Sequence, residues 1–63
     1  MTDAAWLRAM RDRLGLTQAD LAAQIHVTQA TVSRIESGEI RLTPRTRAQV
    51  EQLLREVEVS PPA

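Results

Sequence analysis

The sequence predicts an all-α fold, a compact bundle of four short helices with a fifth as the alternative count. Apolar residues recur at three- and four-residue intervals along most of the chain, the period of a helix with one buried stripe. A threonine stands just before each such run, where its hydroxyl can accept from the unpaired first-turn amides. No segment alternates apolar and polar residues as a half-buried strand would.

The first helix is capped by Thr2 and Asp3, presents Leu7, Met10 and Leu14 inward, and ends at Gly15, which can take the left-handed conformation that closes a helix. Thr17 caps a second, short helix, Gln18 to Ile25, with Leu21, Ala22 and Ile25 facing in and Gln18, Asp20 and Gln24 facing water. After a turn of His26 and Val27, Thr28 caps a third helix, Gln29 to Glu36, whose inward residues are Val32 and Ile35. Ser37 and Gly38 stop it. A loop of Glu39, Ile40, Arg41 and Leu42 leads to Thr43 and Pro44, a cap followed by proline at the first helical position. Val50, Leu53, Leu54 and Val57 carry the spacing of a fourth helix to about Val57. The pattern makes residues 1–58 one domain and 59–63, which hold two prolines, a loose tail.

Composition narrows the class. With 63 residues there is room for one small core, of the kind that usually needs a disulfide, a metal or a partner subunit. The chain has no cysteine and one histidine, His26, so no metal site and no cofactor is expected, and self-association is the remedy left open. No run approaches the roughly 20 apolar residues of a membrane span, and the first residues lack the pattern of a signal peptide, so a cytoplasmic protein is expected. The formal net charge is zero, but the charge is segregated. Between Arg34 and Arg47 stand four arginines and two acids, whereas residues 48–63 hold three acids and Arg55 alone. A polyanion would therefore meet the middle of the chain.

The specific stretch is Leu16 to Gly38, LTQADLAAQIHVTQATVSRIESG. Two short capped helices around a tight turn form a helix-turn-helix, in which the first helix crosses the DNA backbone and the second enters the major groove. A helix in a groove about 12 Å wide must show small and hydrogen-bonding side chains, as Gln29, Ala30, Thr31, Ser33 and Arg34 are. Together with Leu7-Arg8-Ala9-Met10-Arg11, the segments GLTQADLA and VTQATVSRIESG resemble the phage repressor and Cro-like (XRE-type) helix-turn-helix family. The resemblance implies a lambda repressor-like bundle and a sequence-specific transcriptional regulator of double-stranded DNA, a repressor acting as a homodimer.

Carried over position by position, the resemblance implies that Gln29 reads adenine and Ala30 touches a thymine methyl. Ser33 and Arg34 join them at the bases, Arg34 being suited to guanine or to a phosphate. Thr17, Gln18, Thr28 and Thr31 would meet phosphates, as would Arg41 and Arg45 around the start of the fourth helix. Thr17, Thr28 and Thr43 have a capping role whether or not DNA is present, and Glu39 is an alternative partner for Arg34. Arg11 and Glu36 match a family pair that bridges the first helix to the end of the recognition helix, a structural ion pair.

Two departures stand out. His26 occupies the turn where the family usually has glycine, so it must adopt a left-handed conformation or bend the turn. The usual fifth helix is replaced by a longer fourth one, which suggests a dimer surface of Val50, Leu53, Leu54, Val57 and Val59, with Trp6 at the core edge. No nucleophile and base pair, carboxylate couple or phosphate-binding glycine loop points to an enzyme. The rival class is an antitoxin or adaptor with a protein partner, a toxin or co-regulator, and the Pro61-Pro62 end also resembles the start of a linker.

Overall fold

The computed structural model describes residues 2–59, with the side chains of residues 2–58. They form α1 (Asp3–Leu14), α2 (Gln18–Gln24), α3 (Gln29–Glu36) and α4 (Pro44–Val59), and no strand occurs among the described residues. None of these helices is long and apolar enough to cross a membrane.

All four helices start on a threonine. The hydroxyls of Thr2, Thr17, Thr28 and Thr43 accept from the N–H groups of Ala5, Asp20, Thr31 and Thr46 at 3.1, 3.1, 3.2 and 3.2 Å. Each bond satisfies one of the first-turn donors that a helix cannot pair internally. The first three helices also end alike. Gly15, His26 and Gly38 take φ of 69°, 60° and 85°, and the N–H of the next residue reaches back five positions, Leu16 to Arg11, Val27 to Ala22 and Glu39 to Arg34, at 3.2, 3.0 and 2.9 Å. This closure needs a left-handed residue, which glycine supplies without steric cost. Among the described residues His26 is the sole non-glycine with positive φ, so its backbone turns the chain as glycine would.

Each helix contributes one wholly buried side chain: Leu7, Leu21, Val32 and Val50. Ala22, Ile25, Ile35, Leu42 and Leu54 complete the core, and Trp6, Met10, Leu14, Leu16, Val27 and Leu53 pack around it. Burying a leucine or valine fully is worth about 1.5–3 kcal/mol, so these few residues carry the fold. Leu42 has no helical periodicity to announce it. Its N–H donates to Asp3 Oδ2 at 3.1 Å, which fastens the loop before α4 to the start of α1.

α3 packs on both α1 and α2, and α4 packs on α1. That packing corrects the expected dimer surface. Val50 is 0% and Leu54 8% exposed, because α4 closes this molecule's own core, so neither residue is offered to a partner. Leu53 is half-buried and Val57 is 55% exposed. α4 runs to Val59, two residues past the last periodic position; the side chain of Val59 and residues 60–63 of the expected tail lie outside the described residues. Trp6 sits at the core edge with the Arg47 guanidinium 4.6 Å from its ring centroid, and Arg13 pairs with Glu58 to tie the ends of α1 and α4.

Candidate nucleic-acid interface

α3 is an eight-residue helix with two unlike sides. At about 100° per residue, Val32 and Ile35 project one way, and Gln29, Ala30, Ser33 and Arg34 fill the opposite arc as two adjacent i,i+4 rows. Burial follows the same division. Val32 and Ile35 are 0% and 2% exposed, while Gln29, Ala30, Ser33 and Arg34 all lie open to solvent. The outward strip therefore has one amide, one methyl, one hydroxyl and one guanidinium, able to donate, accept and make apolar contact along a groove floor.

Thr28 and Thr31 stand at the start of this helix. The Thr28 hydroxyl accepts from the Thr31 N–H, and the two hydroxyl oxygens lie 3.0 Å apart, so these side chains order the first turn. Thr17 does the same for α2. Arg34 Nε lies 3.9 Å from Glu39 Oε2, with both side chains about two-thirds exposed at 63% and 66%. At that distance and exposure the contact is worth little, so Arg34 keeps its reach. Arg41 and Arg45 are both exposed on the loop and first turn leading into α4.

The far end of α3 is held by a buried charge. Glu36 is 5% exposed, and its carboxylate is paired bidentately with Arg11: Nε donates to Oε2 at 2.7 Å and Nη2 to Oε1 at 3.0 Å. Arg11 Nη1 donates to the Leu16 carbonyl at 3.1 Å, so all three guanidinium nitrogens are engaged. Gln18 Nε2 donates to Glu36 Oε1 at 3.2 Å, and Arg8 Nε lies 3.7 Å from the same oxygen. Burial pushes the Glu36 carboxyl up, but hydrogen bonds from Arg11 and Gln18 with the charges of Arg11 and Arg8 outweigh it and hold the group below the usual range. The hydrogen bond to Glu36 raises Arg11 in turn, against the opposing effect of burial, with the nearby charges of Glu36 and Asp12 adding to the rise.

This network joins α1, α2 and α3 at one point and fixes the angle of the exposed strip. Two of its members escape a reading of the sequence alone. Gln18, the first residue of α2, spends one amide hydrogen on Glu36, and Arg8 stands one turn before Arg11 on the same side of α1. The motif Leu7-Arg8-Ala9-Met10-Arg11, with its two arginines three residues apart, places the second in the chain but does not show that it faces Glu36.

Comparison with curated proteins and with solved structures gives no match. A family model described as helix-turn-helix matches residues 7–61, which spans all of α1 after Trp6 and every later helix. With that match and an exposed, firmly anchored α3, the chain belongs to the Cro and phage-repressor type of helix-turn-helix family, whose members are DNA-binding regulators.

Proposed function

We propose that the protein is a sequence-specific transcriptional repressor of the cytoplasm that binds an inverted-repeat operator as a homodimer, with α3 in the major groove. One observation carries the reading: Gln29, Ala30, Ser33 and Arg34 make a continuous exposed strip on a helix whose other side is core. Gln29 pairs with adenine N6 and N7, Ala30 touches a thymine methyl, and Ser33 and Arg34 reach the next base edges. Thr17, Gln18, Thr28, Thr31, Arg41 and Arg45 grip phosphates on either side and set register without reading sequence. The second amide hydrogen of Gln18 remains for that contact.

Dimerisation uses what α4 leaves outside the core, chiefly Val57 with the half-buried Leu53. A two-fold axis there puts the two α3 helices on half-sites about 34 Å apart, one turn of DNA. Selection from a pool of random duplexes, read by sequencing, tests the proposal. A two-fold symmetric motif is the expected result. Gln29→Ala then relaxes preference at one base pair in each half-site by about 1–3 kcal/mol, whereas Arg41→Ala weakens all duplexes alike. Recovery of no motif, with binding that ignores salt, would instead favour an antitoxin or adaptor that holds a protein.

A further inference from the structure

Resting on that reading, we propose that Arg8 is a phosphate ligand of the bound duplex, gripping the backbone beside Gln18 from the side of α1. Two arginines surround the single carboxylate of Glu36, and they are not equivalent. Arg11 is the inner one, 18% exposed in its side chain, with Nε, Nη1 and Nη2 all donating within the protein. Arg8 is the outer one, 62% exposed, and its Nε at 3.7 Å stands beyond hydrogen-bond range of Glu36.

Glu36 does not need Arg8. Its two oxygens already accept from Arg11 twice and from Gln18 once, and an exposed cation at that distance adds little to a pair that is complete. The cluster of Arg8, Arg11 and Glu36 therefore carries one surplus positive charge, and that charge lies on its solvent side. The neighbourhood decides what it meets. Arg8 Nε and Gln18 Nε2 both approach Glu36 Oε1, at 3.7 and 3.2 Å, so the two donors cannot be further apart than those distances laid end to end. A guanidinium and an amide side by side, each with N–H groups left over beyond what Glu36 takes, present several donors to one anionic backbone. The chain's formal neutrality makes such a local surplus matter more, since no general positive field draws in DNA.

The test measures binding of the full chain to its selected duplex and to random duplex over a salt series, for the wild type, Arg8→Ala, Arg8→Lys and Arg41→Ala. Loss of one phosphate contact makes the slope of log K against log salt shallower by about 0.9, and Arg8→Ala is expected to show this on both duplexes equally. Arg8→Lys is expected to restore the slope, because a phosphate accepts a point charge. Thermal unfolding of Arg8→Ala is expected to stay within a few degrees of wild type. A wild-type slope in Arg8→Ala, with Arg41→Ala visibly shallower, would overturn the role of Arg8 and leave the repressor reading standing. A melting temperature that collapses in both Arg8 variants would make Arg8 structural and overturn it too. No DNA binding by the wild type would sink the repressor reading and the Arg8 proposal together.

Discussion

Arg11→Ala removes the side chain that neutralises Glu36, at 5% exposure the one buried charge among the described residues. It deletes two charge-assisted hydrogen bonds to Glu36, at 2.7 and 3.0 Å, and a third to the Leu16 carbonyl at 3.1 Å. Breaking a buried pair by truncating one partner costs about 3–5 kcal/mol, because the other charge is left without compensation. Gln18 and Arg8 stay near Oε1, which places the effect at the lower end, about 3 kcal/mol. A core of this size supplies about 3–5 kcal/mol in all, so the variant should be close to unfolded at 25 °C. For a domain of this length each kcal/mol moves the melting temperature by about 4–8 °C, giving a fall of roughly 12–24 °C. Far-ultraviolet circular dichroism follows the helices, and the fluorescence of Trp6, packed at the core edge, follows tertiary structure. A double variant that replaces both Arg11 and Glu36 by apolar residues of similar volume should recover most of the loss. A decrease of only two or three degrees in Arg11→Ala would refute the reasoning, since the pair would then not be what holds α3 to α1.

Three other outcomes are expected. Glu36 has a folded pKa below its unfolded value of about 4.3, so its contribution is complete above that pH and is lost as pH falls through the lower folded value; chemical denaturation should show stability dropping below about pH 4, and Glu36→Gln, though less stable at neutrality, should show a flatter acid limb. His26 holds φ of 60°, a conformation costing an L-residue about 1–2 kcal/mol, against which glycine's extra unfolded entropy sets about 0.5–1. His26→Gly should therefore raise the melting temperature by a few degrees while His26→Ala should not, and a destabilised glycine variant would mean that the imidazole makes a contact of its own. Val57→Arg, at a site 55% exposed, should leave the fold intact and convert a dimer to monomer in sedimentation at high micromolar concentration; a wild type that sediments as monomer there would remove the dimer instead.

The number and order of helices could be read from the chain because the determinants are local. Threonine caps, glycine stops and the three-and-four spacing act within a turn or two, and they mark Thr2, Thr17, Thr28 and Thr43 as starts and Gly15 and Gly38 as ends without any tertiary information. The exposed strip of α3 follows from the same arithmetic, since Val32 and Ile35 can be buried only if Gln29, Ala30, Ser33 and Arg34 are not. What the helices do to one another depends on distant partners, and there local rules are silent. Periodicity identified Val50 and Leu54 as apolar and could not say whose core they enter; only the packing of α4 on α1 decides that they close this one. Leu42 joins a core built from all four helices, its amide held by Asp3 far back in the chain, and Gln18 turns to Glu36 because three helices converge on one carboxylate. A buried charge collects every donor within reach, and which donors those are is a property of the folded molecule rather than of any segment.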